Sequence, residues 1–304
     1  MAGRWGVGEA SQEMAGKTCL VTGASSGIGR ATALGLARLG ATVLLVARDR
    51  SRGEAALEEV ARVHPAAPPD LLVGDLSSLA HVRRLADEVG DRVARLDVLV
   101  NNAGASYGTR RTTEDRLEAT FATNHLGPFL LTNLLLGRMT GGGPARIVNV
   151  ASDTHRWVKR IPWDDLQGDR RYRAMAAYNL SKLFVVLSTY ELARRLDGTG
   201  VTANCLHPGW PLKTYLDRDA RGPFGDFARA SKRFGAPAEA GARTSIYLAS
   251  SPEVGAVSGA YFAGCRPVAS SALSSDADAA ARLWDVSERL AGLRPAPPRP
   301  DPNS

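Results

Sequence analysis

The chain of 304 residues is expected to fold as an α/β protein, a single domain on a doubly wound parallel sheet of about seven strands. Three observations predict this. Short apolar runs alternate with stretches of helical periodicity, the pattern of a parallel sheet covered on both faces. A glycine-rich turn, Thr22-Gly23-Ala24-Ser25-Ser26-Gly27-Ile28-Gly29, joins the first apolar run to the first helix. Unusual polar groups fall at the carboxyl ends of the runs, where open α/β sheets bind ligands.

Residues 18–21 form the first run and read as a buried strand; residues 30–39 then carry apolar positions at helical spacing and stop at Gly40. Between them the glycines let the backbone turn sharply and let a ligand approach. The free N–H groups and dipole of the new helix favour a phosphate. The spacing is Gly-x3-Gly-x-Gly, with Ser25, Ser26 and Ile28 between the glycines, not the commoner Gly-x-Gly-x2-Gly. Taken alone, such a turn is equally an ordinary strand–helix connection. Residues 42–46 read as a second strand ending at Ala47-Arg48-Asp49, followed by a charged helix over 52–62. Residues 71–73 make a third strand, ending at Gly74-Asp75-Leu76, with a helix over 79–89. Residues 96–100 are a fourth, running into Asn101-Asn102-Ala103-Gly104. The periodicity then predicts a long helix over 113–139, a fifth strand at 146–150, a helix over about 172–196, a sixth strand at 201–206 and a last one at 259–262. There is no internal repeat and no sign of a second domain.

Composition narrows the class. The formal charge is +7, but arginine is scattered and no basic block resembles a nucleic-acid arm. Three cysteines, Cys19, Cys205 and Cys265, lie far apart, which suits a reducing compartment better than a disulfide framework. Five histidines lack metal-ligand spacing, so no metal is expected. The first residues lack the apolar core of a signal peptide, and no run approaches the ~20 apolar residues that span a bilayer. A soluble, cytoplasmic protein without a membrane anchor is the expectation. The folded domain is expected over 15–292, after a flexible extension at 1–14 and before a loose proline-rich tail at 293–304.

The strand ends carry the chemistry. An acid after the second strand would bond the ribose hydroxyls of an adenosine and repel a 2′-phosphate. Here Arg48 stands there, a permanently charged and bidentate partner for phosphate. NADP(H) is therefore expected over NAD(H), with Asp49 keeping NAD(H) open and a plain surface arginine as the bland alternative. Asp75 can accept from an adenine amino group, with Leu76 beside it, or can cap the following helix. Asn102, Ala103 and Gly104 let the backbone come close to a cofactor, though Asn and Gly also dominate plain turns. Tyr178 and Lys182, four apart, share one helical face. A nearby cation stabilises phenolate, so a phenol otherwise titrating near ~10 can exchange protons with a carbonyl or alcohol oxygen. Ser152, just past the fifth strand, can bond the same oxygen. Tyr-x3-Lys is common by chance when nothing accompanies it.

Together these pieces closely resemble the short-chain dehydrogenase/reductase family over roughly 17–290. Gly23, Gly27 and Gly29 match its cofactor turn, Asn102-Ala103-Gly104 its central turn, Tyr178 and Lys182 its catalytic pair, Ser152 its catalytic serine, and Asn124 its catalytic asparagine. Pro208-Gly209 matches the turn beside the nicotinamide. The resemblance implies a Rossmann fold, Tyr178 as proton donor or acceptor, and Lys182 as the group that lowers its pKa and binds the nicotinamide ribose. It further implies that Ser152 orients the substrate oxygen and that Asn124 helps hold a water linking Lys182 to solvent. Asn124-His125-Leu126-Gly127-Pro128-Phe129, the long gap from Ser152 to Tyr178, Leu206-His207-Pro208-Gly209 and Leu283-Trp284-Asp285-Val286-Ser287 look most like the retinol-dehydrogenase-like branch, alongside the WW-domain oxidoreductase and protochlorophyllide reductase. Relatives are commonly dimers or tetramers, so a homo-oligomer is in view.

One departure stands out. The family usually places a threonine four residues beyond the glycine of Pro208-Gly209, touching the cofactor carboxamide. Here Trp210-Pro211 puts Thr214 five beyond. The loops 153–177 and 210–235 are expected to form the substrate pocket, with Trp157, Trp210, Tyr215 and Phe224 as candidate lining residues and Trp163 and Tyr172 nearby. Such aromatics suit a lipophilic or ring-bearing small molecule or simply anchor the loops. His155 and His207 read as structural. The function expected is carbonyl–alcohol interconversion with NADP(H). The alternatives are a biosynthetic tailoring reductase acting on a C=C bond, polyketide or terpenoid, and a non-catalytic NADP(H)-sensing protein.

Overall fold

The computed structural model describes residues 13–64, 66–209 and 236–293. Eight strands form one sheet in the order β3-β2-β1-β4-β5-β6-β7-β8. In chain order they are β1 (Thr18–Thr22), β2 (Thr42–Ala47), β3 (Asp70–Val73), β4 (Val98–Asn101), β5 (Ala145–Val150), β6 (Val201–His207), β7 (Tyr261–Ala263) and β8 (Arg266–Pro267). All neighbours are parallel except β8, which runs antiparallel to β7. The seven parallel strands answer the expectation. The two-residue β8 escaped it because Arg266-Pro267 has no apolar run, and Pro267 suits only a sheet edge.

The described helices are α1 (Gly27–Arg38), α2 (Arg50–Val63), α3 (Leu79–Arg92), α4 (Ala119–Phe121), α5 (Gly127–Met139), α6 (Ala174–Arg195), α7 (Ala238–Ser250) and α8 (Ala277–Leu290). One face of the sheet is packed by α3, α5, α6 and α8 around Leu20, Leu99, Leu130, Phe184 and Leu283. The other is packed by α1, α2 and α7 around Val21, Leu36, Val43, Val60 and Leu248. Central strands are thus buried on both sides, which is why they read as continuous apolar runs instead of alternating ones. Trp284 on α8 packs edge-on against Phe129 of α5, tying the end of the chain to its middle.

Three expectations are corrected in detail. The stretch 113–139 is not one helix: α4 is a single turn, a π-helical turn covers Ala122–Leu126, and only then does α5 begin. The buried Glu118 carboxylate caps α4 by accepting from the N–H groups of Thr120 and Phe121 at 2.8 Å each. Pro128 has no N–H to donate into a continuous four-residue ladder, so the register changes just ahead of it. Met14 is buried among Leu36, Leu39 and Val43, and its N–H donates to the Leu39 carbonyl at 2.8 Å. The folded body therefore reaches back past residue 15; at the other end Leu293 still packs on the core. The loop 153–177 contains a 3-10 turn at Asp153–Trp157 and the first turn of α6. No described helix is long and apolar enough to cross a membrane, and no described cluster of His, Cys, Asp or Glu could hold a metal.

Candidate functional site

The chain order reverses between β1 and β4, which lie side by side, so the crevice beyond their ends is the switch point of the sheet. Both expected turns meet there. Gly23 has φ +67°, and a Cβ on it would stand 2.9 Å from the Ala103 Cα. A Cβ on Gly29 would stand 2.3 Å from the Gly23 carbonyl oxygen and 2.4 Å from Asn102 Nδ2. Thr22 joins the two turns: its Oγ1 accepts from the N–H groups of Asn102 and Ala103 at 2.9 and 3.0 Å, while Asn102 Nδ2 donates to the Thr22 carbonyl at 2.9 Å. Helix α1 starts at Gly27, with Ser26 capping in extended geometry, its hydroxyl not spent on the cap and no acid in the first turn. The start of α1 opens on a cavity of about 310 Å³ lined by Ser25, Ser26, Gly27, Arg30 and Arg52. A glycine turn, a helix start whose cap hydroxyl is unspent, and two arginines, Arg30 also paired with Glu59 at 3.1 Å, fit the phosphates of a dinucleotide.

Arg48 and Asp75, singled out separately in the sequence, face each other across 3.9 Å, with Arg48 largely exposed. An exposed pair this long is worth about 0–1 kcal/mol and yields readily to a ligand. The Asp75 carboxylate accepts from Ser77 N–H and Oγ at 2.9 and 2.8 Å, and the cap of α3 is Ser78 instead. The helix-cap alternative for Asp75 is therefore replaced. Asp49 is the cap of α2 and accepts from the Arg52 N–H at 2.9 Å. One of its carboxylate oxygens is thus engaged at the helix start. Leu76 is buried, its carbonyl set against Gly127 so closely that a Cβ there would lie 2.0 Å away.

Beyond β4, β5 and β6 the polar groups converge on α6. Lys182 is buried, donates from Nζ to the Val150 carbonyl at 2.9 Å, and stands 5.7 Å from the centre of the Tyr178 ring. Burial pushes its ammonium down to about 8. Asn124 sits in the π-helical turn, where Oδ1 accepts from the Ala105 N–H at 2.7 Å and Nδ2 donates to the Ala105 carbonyl and to Ser181 Oγ, each at 2.9 Å. Ser181 in turn donates to the Tyr178 carbonyl at 2.7 Å. Ser152 caps the 3-10 turn, its Oγ accepting from Thr154 N–H at 3.4 Å and Thr154 Oγ1 at 3.2 Å. Two donors occupy its lone pairs, so its own O–H proton is left to give.

A family model for short chain dehydrogenases matches residues 17–221. The chain belongs to the short-chain dehydrogenase family. Retinol dehydrogenase 14 of Homo sapiens is 45% identical over 296 residues, covering 92% of this chain and 88% of that protein. A Streptomyces sp. (strain C5) protein provisionally named daunorubicin C-13 ketoreductase DnrU is 40% identical over 282 residues, covering 91% and 93%. Among solved structures, an uncharacterized protein from Mycobacterium paratuberculosis superimposes with a TM-score of 0.74 at 38% identity, covering 91% of this chain and 94% of its own. The Pseudomonas aeruginosa RhlG/NADP active-site complex matches at 0.63 and 29%, covering 83% and 96%. This short-chain dehydrogenase is thus an oxidoreductase of the retinol-dehydrogenase-like kind, in a family that uses a nicotinamide dinucleotide.

Within the dehydrogenase the expected residues divide by position. Gly209, with φ +104°, ends the described part of the Pro208-Gly209 turn. Trp210, Thr214, Tyr215 and Phe224, with the Trp210-Pro211 departure, lie outside the described residues. Trp157 is 63% exposed. Trp163 packs on the core beneath the Arg282 guanidinium, 4.4 Å from the ring centre, and Tyr172 donates to the Tyr107 carbonyl at 2.8 Å. The latter two therefore anchor loops. Reading by sequence missed Thr22, Arg30, Arg52 and Ser181. Arg30 directly follows Gly29 and Arg52 lies three positions past Asp49, on the first turns of α1 and α2, but nothing in their spacing showed that the two line one cavity.

The buried lysine has a measurable signature. Its folded pKa lies below its unfolded value of 10.5, so between about 8 and 10.5 the unfolded chain binds more protons and stability rises with pH. The unfolding free energy of the wild type minus that of Lys182→Met should therefore climb across this window by on the order of 3 kcal/mol. Denaturant titrations at several pH values read it; a flat difference would remove the buried charge from the account.

Proposed function

We propose that this dehydrogenase uses NADP(H) to interconvert a carbonyl and an alcohol on a lipophilic or ring-bearing small molecule, with Tyr178 as the acid and base. The observation that carries this is the Lys182 ammonium, buried on the same helical face as Tyr178 and bonded to the Val150 carbonyl two residues before Ser152. The bound nicotinamide supplies or accepts the hydride. In reduction the Tyr178 O–H gives its proton to the substrate oxygen as the new C–H bond forms, and in oxidation the phenolate takes that proton back. Lys182 favours the phenolate by its charge, and Ser152 donates a hydrogen bond that holds the oxygen in line. Asn124 has spent both amide donors, so it offers a relay water its main-chain carbonyl while its side chain locks the turn against α6.

Gly23, Ser25, Ser26, Gly27, Ile28 and Gly29 would hold the pyrophosphate, with Asn102, Ala103 and Gly104 beside it and Pro208-Gly209 near the nicotinamide. Arg48, Arg30 and Arg52 would meet the 2′-phosphate, and Asp75 with Leu76 the adenine. Arg48 after β2 and the pair Arg30 and Arg52 at the cavity before α1 favour NADP(H) over NAD(H). The relatives, a retinol dehydrogenase and a ketoreductase by name, support a ring-bearing alcohol or ketone as substrate. The thiols suit a reducing cytoplasm: burial pushes Cys205 up to about 12, and none of the three is paired.

The test follows NADPH absorbance with retinaldehyde, aliphatic aldehydes, polycyclic ketones and quinones. Consumption by at least one carbonyl supports the reading; silence across the panel with tight NADPH binding favours a sensor. Arg48→Ala should weaken NADPH binding by about 5- to 20-fold, roughly one charge-assisted contact of 1–2 kcal/mol, and leave NADH within twofold. Equal losses for both cofactors would refute the phosphate role.

A further inference from the structure

The backbone of Ser152 is held by a residue that the proposed chemistry does not use. His155 is completely buried, and its Nδ1 lies 2.7 Å from the Ser152 carbonyl oxygen. The N–H of Ser271 points at its Nε2 from 3.2 Å. A main-chain N–H can only donate, so Nε2 carries the lone pair. The ring proton is then on Nδ1, aimed at the Ser152 carbonyl. One neutral tautomer satisfies both bonds, and burial pushes the imidazole down toward that neutral form. The ring also rests edge-on against Tyr261, 5.0 Å between centres.

The partner segment has a second grip. Ser270 Oγ accepts from the Tyr190 hydroxyl at 2.8 Å, and Tyr190 lies on α6, the helix of Tyr178 and Lys182. Consecutive residues, Ser270 and Ser271, therefore hold the tyrosine helix and the serine turn. Arg156 reinforces the same junction by donating to the Ala269 carbonyl.

We propose that His155 is a positioning residue: through the Ser152 carbonyl it fixes where the serine hydroxyl stands relative to Tyr178. This rests on the reading of Ser152 as the group that orients the substrate oxygen. A displacement of about an ångström at such a contact costs about 10²-fold in rate.

Two isosteric replacements separate the roles of the ring nitrogens. In His155→Asn the amide nitrogen can occupy the Nδ1 place and keep the bond to Ser152. In His155→Gln the amide oxygen can occupy the Nε2 place and keep only the bond from Ser271. With the best substrate of the NADPH panel, His155→Asn should hold kcat within about threefold, and His155→Gln should lose about 10- to 100-fold. NADPH affinity should be unchanged in both. Ser271→Pro deletes the N–H at a φ of −76° that proline accepts; it removes the same bond that His155→Asn gives up and leaves Nδ1 on the Ser152 carbonyl, so it should hold kcat within the same threefold.

In a Ser152→Ala background the further loss on adding His155→Gln should vanish, since there is no hydroxyl left to misplace. A full additional loss there marks general structural damage and overturns the proposal. So does wild-type kcat for His155→Gln where Ser152→Ala is itself impaired. Wild-type kcat for Ser152→Ala is a different result: it removes the serine from the mechanism, and with it the basis for this role of His155.

Discussion

Replacing Tyr178 by phenylalanine should lower kcat by about 10²–10⁴-fold while NADPH still binds within a few-fold of the wild type. The substitution removes one oxygen and keeps the ring, so α6 retains its packing and Lys182 keeps its bond to the Val150 carbonyl. What disappears is the only group proposed to pass a proton to the substrate oxygen. Ser152 cannot take over, because a hydroxyl without an adjacent cation has no stabilised conjugate base. Steady-state turnover paired with NADPH fluorescence titration separates the two effects. Near-normal turnover would remove Tyr178 from the chemistry; loss of cofactor binding would instead make it a binding residue.

Gly29→Ala should abolish detectable cofactor binding, a loss of about 100-fold or more, and destabilise the fold by about 2–4 kcal/mol. The added Cβ meets the Gly23 carbonyl at 2.3 Å and Asn102 Nδ2 at 2.4 Å. Neither can step aside: the first is backbone, and the second donates to the Thr22 carbonyl. Gly27→Ala is the informative control. Nothing lies within 4 Å of its Cβ, and its φ of +55° alone costs about 1–2 kcal/mol. Urea unfolding and NADPH titration of both variants should rank Gly29→Ala well below Gly27→Ala in each measurement. Equal effects would show that backbone strain, not the close approach of the two turns, governs the site.

Most of the sheet could be read ahead of the structure because its signals are local. β1 and β2 are buried on both faces, so each is an apolar run between punctuating residues, while β5 and β6 keep enough apolar positions around Asn149 and Asn204 to be recognised. β8 and the π-helical turn lack such signals. The former is a two-residue pairing at an edge, and the latter arises where Pro128 and the contact of Gly127 with Leu76 interrupt a periodic stretch. Asp75 follows β3 but does not cap α3: Ser78 is the cap and Asp115 accepts from the Leu79 N–H, a partner 36 positions away that no local pattern announces.

The amino-acid order alone determined the family and the residue types at each strand end. Glycine spacing, the four-residue step from Tyr178 to Lys182 and the serine after β5 are short-range patterns that survive without coordinates. Tertiary packing decided what those residues touch. It set Arg48 opposite Asp75, brought Arg30 and Arg52 around one cavity, and seated Ser271 beneath His155, 116 positions away. Such pairings depend on which helix lands on which face of the sheet. That choice is made by the summed burial of many apolar side chains, and no single stretch of chain contains it.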